Sequence, residues 1–323
     1  MCTVTLKEVG FPWPRNPVTP RPEPGAVGSG ARFGRWLGRD ALWAYAFVAP
    51  QIVGLLGFVV LPVLAAFLLS FARWDLGKEP TWVGVENYAR QVADPLFWRV
   101  LGNTVYFTVG FIPSMLALSL LLALGLNQRL RFVVVYRALY FLPAITSSVA
   151  IALVWAWLYN PDFGLINLAL AAVGVSGPKW TASLAWAMPS VIIVSVWHAL
   201  GYNAVVFLAG LKAIPRELYE AAKVDGANRW ALARHVTVPM LTPTIFFVLV
   251  VATIGSFQVF NTVYMLTGGG PGDATNVLVK HMFDVGFRFF RLGEAAAIAW
   301  TLFLIIVALT VVQFRFARWV HYE

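Results

Sequence analysis

The residues best suited to chemistry lie inside apolar runs, and nearly all are uncharged. One group is Ser195, Trp197, His198, Tyr202 and Asn203; a second is Thr253, Ser256, Gln258, Asn261 and Thr262, interleaved with Phe257 and Phe260. Hydroxyls and amides beside aromatic faces can cradle a neutral, polyhydroxylated ligand. The same residues would serve as polar glue between membrane helices, at about 0.6 kcal/mol per contact. Taken as a cluster they favour a pathway, with Trp197, Tyr202, Asn203, Ser256, Gln258 and Asn261 facing the solute. His198, within an apolar run beside Trp197, fits a hydrogen-bonded or pocket-lining role far better than a metal site.

Catalytic and metal-binding patterns are missing from the chain. It has no G-x-x-x-x-G-K-[ST] phosphate loop, no H-E-x-x-H, no G-x-S-x-G and no paired Cys/His spacing. Gly268-Gly269-Gly270-Pro271-Gly272 lacks the following Lys-Ser/Thr and reads as a tight loop. The sequence therefore predicts no catalytic residues, no metal and no cofactor in this chain. Apart from Glu294 at the mouth of the last one, the apolar runs contain no acid. Proton- or sodium-coupled carriers hold such charges at depth, so energy is expected to come from elsewhere. A secondary carrier, the runner-up, would need those acids or inverted repeats.

The second feature is a charged island, Leu211 to Pro243, between two apolar runs. Pro215 suits the first turn of a helix, Glu217 and Glu220 its positive dipole end, and Gly226 its C-terminal cap. Pro215 to Asp225 thus reads as a helix of about three turns, roughly 16 Å long. Leu218, Ala221, Ala222 and Asp225 share one face, and a second short helix, Asn228 to Val236, is expected to stop at Pro239. A structured loop between membrane spans is built to touch something.

The elements that hold these groups follow from composition. The chain has 323 residues, 59% hydrophobic and 12% charged, with mean hydropathy +0.73. Soluble domains run near 25% charged, so this is an all-α integral membrane protein. Its single cysteine excludes a disulfide framework, and the net charge of +9 need not mean nucleic acid. Six apolar runs can each cross a bilayer: about 42–72, 101–126, 138–159, 184–211, 240–266 and 294–314. Residues 1–40, with six prolines and a Gly/Arg-rich stretch, read as a disordered tail; 41–318 form the six-helix domain, and 319–323 a short end. With the N-terminus inside, 16 of the 24 Lys and Arg fall on the inner segments, placing both termini and the island in the cytoplasm. Tryptophans 82, 98, 155, 157, 180 and 186 near the outer ends fit an interfacial belt.

The island resembles the EAA motif of permeases from ATP-binding-cassette (ABC) importers. Glu220-Ala221-Ala222, three residues, Gly226, nine residues and Val236-Thr237-Val238-Pro239 follow its spacing, and Asp225-Gly226-Ala227 is similar to the carbohydrate-type form. Phe141-Leu142-Pro143, Asn160-Pro161-x-x-Gly164 and Tyr264-Met265-Leu266-Thr267-Gly268-Gly269-Gly270-Pro271 point the same way, the last resembling the maltose-type first permease subunit. The resemblance covers about 41–318. It implies the type I importer permease architecture, six helices with a cytoplasmic coupling-helix loop over 215–239. It implies a multi-pass protein of a bacterial or archaeal inner membrane, forming half of a sugar pathway. Glycerol phosphate or amino acids are the alternative solutes; scarce intramembrane Arg and Lys count against a phosphorylated one. The implied partners are a second permease, cytoplasmic ATPase subunits holding ATP and Mg, an extracytoplasmic solute-binding protein and lipid, with no nucleic acid. Glu220 would pair with a basic ATPase residue, Ala221 and Ala222 would permit close approach, and Gly226 would make the turn, with Asp225 and Pro239 completing the coupling set.

Overall fold

The computed structural model describes residues 39–75, 77, 79–128 and 131–317. The expected tail at 1–38 and the end at 319–323 lie outside the described residues; helix α1, Arg39–Leu55, begins just inside the expected tail boundary. Contacts divide the chain at Leu61/Pro62 into two units. The described part of the first contains α1 and a wide π turn, Leu56–Val60, and its apolar side chains are exposed, with Phe47 at 80% and Phe58 at 86%. Such side chains cost nothing in a bilayer, where hydrocarbon is the solvent.

Among its described residues, the second unit has one small hairpin, and its other regular elements are helical. Helix α2, Leu61–Ser70, leads into strands β1, Ala72–Arg73, and β2, Thr81–Trp82, paired antiparallel. Helix α3, Glu86–Ala93, follows, and then α4, Pro95–Leu126, capped by Asp94, which accepts from the Leu96 N–H at 2.8 Å. The expected second span is thus longer at its start, because Asp94-Pro95 is a cap followed by a proline in the first turn, where the missing N–H costs nothing.

Among the described residues, four helical stretches are long and apolar enough to cross a membrane: Trp43–Ser70, Pro95–Leu126, Ala187–Ala213 and Leu292–Arg315. The third and fifth expected spans are bent pairs. Helices α5, Val133–Ile145, and α6, Ser148–Leu158, meet at 98°. Pro143 lies three residues before that break and withholds a donor from the last turn of α5. After the short α7, Leu165–Ala172, comes α8, Ala187–Ala213. Pro189 sits in its first turn, where it does no harm.

The island folds as α9, Arg216–Val224, and α10, Arg229–Leu232. Pro239 does not stop the second helix. A π turn over Ala233–Thr237 precedes it, and the helix continues as α11, Val238–Met240. The wider turn moves the upstream carbonyl off the proline ring, the clash that would otherwise end the helix. A 62° bend then leads into α12, Thr242–Phe257. The fifth expected run also ends early: Gln258 caps α12, and 261–266 form a separate helix, α13, Asn261–Leu266. Helix α14, Leu278–Phe283, a π turn over Asp284–Arg288 and α15, Leu292–Arg315, complete the chain.

Three buried clusters hold this unit together. Ile112, Met115, Phe207, Leu208, Leu241 and Val248 join α4, α8 and α12. Phe97, Val100, Phe257, Leu278 and Ile298 join α4, α12, α14 and α15, while Phe107, Ile151, Met188, Val191 and Val263 join α4, α6, α8 and α13. In a bilayer such contacts act by dispersion and close fit rather than by expelling water. At Gly201 a Cβ would lie 1.9 Å from the Tyr140 carbonyl oxygen, so α8 approaches α5 closely only because that residue has no side chain.

Candidate functional site

The coupling-loop candidates sit on a well-defined turn. At the end of α9 the Ala227 N–H donates to the Ala222 carbonyl at 2.9 Å, and the Gly226 N–H to the Lys223 carbonyl at 3.0 Å. This is a Schellman cap, which needs a left-handed residue after the cap. Gly226 supplies it with φ +79, in open space: nothing lies within 4 Å of a Cβ built there. Glycine is required by the backbone angle, not by crowding. Asn228 then caps α10, its side chain accepting from the Ala231 N–H at 2.9 Å.

The faces of α9 divide differently from the periodic expectation. Tyr219 and Ala222 turn inward, and the Tyr219 hydroxyl meets Thr237 Oγ1 at 3.1 Å. Leu218, Ala221 and Asp225 face outward with Glu220, joined by Val224, 88% exposed, and Trp230, 74% exposed. The predicted stripe therefore splits, because Tyr219 anchors the helix on the second core-facing face. Among the described residues Glu220 makes no ion pair, with Lys223 or any other group. Pro239 lies on α11 and is half-buried. The loop thus offers an exposed carboxylate beside small and apolar side chains. Tyr219, Val224 and Trp230 were missed: only the observed cap and the Tyr219–Thr237 contact fix which face is outward.

The second candidate region is a cavity of about 260 Å³ between α4, α8 and α12. Its polar lining is Ser195, His198, Tyr202, Asn203, Ser256 and Thr262, and its apolar wall includes Phe107, Phe111 and Met115. Among the described residues, no Asp, Glu, Lys or Arg lines it. Three of the six predicted pathway residues, Tyr202, Asn203 and Ser256, are on it. Trp197 is not; it packs edge-on against Trp155 at 5.5 Å and lines a separate apolar pocket of about 310 Å³ with Leu142, Pro143 and Thr146. Gln258 is an exposed helix cap outside the cavity, and Asn261 donates to Ser148 Oγ at 3.0 Å.

Hydrogen-bond capacity distinguishes the lining groups. Ser256 accepts from Thr108 at 3.1 Å and donates to the Thr253 carbonyl at 3.0 Å, joining α4 to α12. Asn203 donates one amide hydrogen to the Ala199 carbonyl at 2.9 Å, leaving its oxygen unspent. His198 Nε2 reaches the Thr146 carbonyl at 3.4 Å, across the break between α5 and α6. Ser195 Oγ is buried and has no hydrogen-bond partner among the described residues. A buried hydroxyl left unmet is costly unless something visits it. The aromatic wall on α4 was not foreseen, since Phe107 and Phe111 in an apolar run look like ordinary core.

A family model for the binding-protein-dependent transport system inner membrane component matches residues 101–322. The chain belongs to that family, a class of multi-pass membrane permeases. Among curated proteins it is 38% identical over 295 residues to the probable ABC transporter permease YesP of Bacillus subtilis (strain 168), covering 90% of this chain and 95% of that one. It is 36% identical to the lactose transport system permease LacF of Rhizobium radiobacter, covering 84% and 93%. Identity to the trehalose/maltose transport system permease MalF of Thermococcus litoralis (strain ATCC 51850 / DSM 5473 / JCM 8560 / NS-C) is 33%, covering 87% and 95%. A crystal structure of a bacterial ABC transporter involved in alginate import superposes with TM-score 0.78 at 24% identity, covering 86% of this chain and 96% of that chain. The fold is therefore that of a type I importer permease.

Proposed function

We propose that this chain forms half of the translocation pathway of an ATP-driven, binding-protein-dependent importer of neutral sugars. The observation that carries the substrate class is the uncharged cavity, in which the Ser195 hydroxyl is buried and unpaired beside the spare Asn203 oxygen and the walls of Phe107 and Phe111. A sugar brings hydroxyls for the first and apolar ring faces for the second. A phosphorylated or zwitterionic solute would meet no opposing charge there. Two relatives, named as lactose and trehalose/maltose transport permeases, support this choice over glycerol phosphate or an amino acid.

The same reading places hydrolysis outside this chain. ATP and Mg belong to cytoplasmic ATPase subunits, and a second permease and an extracytoplasmic binding protein complete the assembly. Both termini and α9 lie in the cytoplasm, consistent with the excess of Lys and Arg on those segments. Glu220, Ala221, Asp225 and the neighbouring Leu218 and Val224 form the surface seated on an ATPase, and Gly226 sets the turn behind it. Ala222 and Pro239 serve the coupling set from within, as packing and helix geometry. A rigid α9 carries nucleotide-driven closure to α8 and α12, which flank the cavity.

Ser195→Ala tests the substrate assignment. Removing an unmet buried hydroxyl leaves the thermal midpoint of the assembled importer unchanged or raised. The KM for sugar uptake is expected to rise about fivefold, the loss of one sugar hydrogen bond worth about 1 kcal/mol. Unchanged KM in both Ser195→Ala and Asn203→Ala would refute the cavity as the sugar site.

A further inference from the structure

A polar cleft of about 240 Å³ lies where the ends of two spans meet, on the side away from α9. Strand β1 follows directly on α2, and α15 begins beside it: the Leu292 N–H donates to the Trp74 carbonyl at 2.9 Å, and Asp75 bridges Arg291 through the backbone. Arg73, Arg90 and Arg291 project into the cleft with Glu294. Arg73 meets the Glu86 carboxylate at 2.7 Å, Arg90 binds the same oxygen, and Arg291 pairs with Glu294. The Arg90 hydrogen bond, assisted by the charge of Arg73, keeps the Glu86 carboxyl below its usual range. The floor is fixed by Asn87, which spends its amide on the Ser70 and Ala72 carbonyls at 2.8 and 2.9 Å.

These arginines are not used up. A guanidinium has five N–H donors, and each spends part of its fork on one carboxylate. Their side chains remain 44%, 41% and 47% exposed. The surroundings are those of a bilayer boundary. Trp82 is 69% exposed, Val85 67%, Val92 59% and Trp98 54%, on the hairpin, α3 and the start of α4. Exposed tryptophan and valine around an arginine cleft, at the point where spans emerge, is the composition of an interfacial surface.

We propose that this cleft binds the headgroup of an outer-leaflet phospholipid, with the three guanidiniums holding the phosphodiester and Glu294 accepting from a primary ammonium. Arginine forks suit phosphate oxygens. Glu86, Glu294 and Asp75 offset the three arginines, so the cleft matches a zwitterion such as phosphatidylethanolamine better than a bare polyanion. The site shares no residue with the cavity on α4, α8 and α12 and does not depend on which solute is carried.

The test is native mass spectrometry of the importer, purified with its partner subunits and equilibrated with equal amounts of phosphatidylethanolamine, phosphatidylcholine and phosphatidylglycerol. The wild type is expected to retain phosphatidylethanolamine over phosphatidylcholine by about tenfold, the Glu294→Gln variant to lose that preference, and the Arg73→Gln/Arg90→Gln variant to retain about tenfold less of each phospholipid. An Arg73→Lys/Arg90→Lys variant keeps the charge without the fork and should fall between the wild type and that variant. Co-purification of the partners and an unchanged thermal midpoint show that the variants are folded. If a variant fails to fold, loss of lipid preference in the wild type on titrating the competing headgroup, phosphoethanolamine, supports the site. Equal retention of the three lipids by the wild type, an unchanged preference in the Glu294→Gln variant, undiminished retention in the Arg73→Gln/Arg90→Gln variant, or displacement of the lipid by millimolar inorganic phosphate would overturn the lipid assignment.

Discussion

The turn at Gly226 gives the sharpest test of the coupling loop, because angle and contact can be separated there. A Cβ at this position meets nothing within 4 Å, yet φ is +79. Gly226→Ala therefore costs only the left-handed backbone penalty, about 1–2 kcal/mol. Gly226→Asn, whose side chain tolerates that region, should cost a fraction of this, and a β-branched Gly226→Val more. This penalty falls on the Schellman cap, so its expected effect is fraying of α9 and a displaced Glu220–Asp225 surface, with the spans intact. Sugar-stimulated ATP hydrolysis and ATPase co-purification, measured on membranes with equal amounts of this chain, should decline in the order Gly, Asn, Ala, Val. If Asn proved as damaging as Val, contact with a partner would govern the site rather than φ. Wild-type behaviour of all three would refute the argument that this turn positions the coupling surface.

Two other perturbations follow from single contacts. Gly201→Ala would drive a methyl to within 1.9 Å of the Tyr140 carbonyl oxygen, so it should separate α8 from α5 at a cost of about 1–3 kcal/mol. Its signature is a lower thermal midpoint with reduced uptake, and an unchanged midpoint would contradict the close approach. His281, buried on α14, has its pKa held below its ordinary 6.5 by burial, opposed by Asp94, Asp284 and Asp273 and aided by Lys280. The neutral form is favoured in the fold, so this contribution is complete above pH 6.5 and is lost as pH falls through the depressed folded value. His281→Gln should flatten that part of the acid limb in a thermal-midpoint titration; an identical limb in the variant would count against the assignment.

How much of this was legible in the sequence varies by feature. The long spans on α4, α8 and α15 follow from unbroken apolar runs, and the Gly226 cap from spacing alone. The breaks at Thr146–Ser147 and after Phe257 leave no such trace, because a bent helix and a straight one have the same hydropathy. That is why Gln258 and Asn261 read as pathway residues although α12 has ended before either. Pro239 carried a real signal that a neighbouring π turn overrides. Within the cavity, polarity identified Tyr202, Asn203 and Ser256, but the unmet hydroxyl of Ser195 and the rings of Phe107 and Phe111 emerge only once α4 is packed against α8 and α12. The buried Lys280–Asp284 pair, at 2.5 Å between the expected fifth and sixth spans, has no signature beyond an i,i+4 spacing.

The proposed importer joins an uncharged sugar cavity in this chain to hydrolysis in another. Its most direct test is uptake of a labelled neutral sugar into proteoliposomes that contain this permease with its partner permease and ATPase subunits. The binding protein is placed on the side opposite α9, and ATP is supplied or withheld on the α9 side. Accumulation is expected only with ATP, and a Ser195→Ala/Asn203→Ala variant that assembles fully should accumulate far less. Uptake that proceeds without ATP, or that is unchanged in the assembled double variant, would contradict the account.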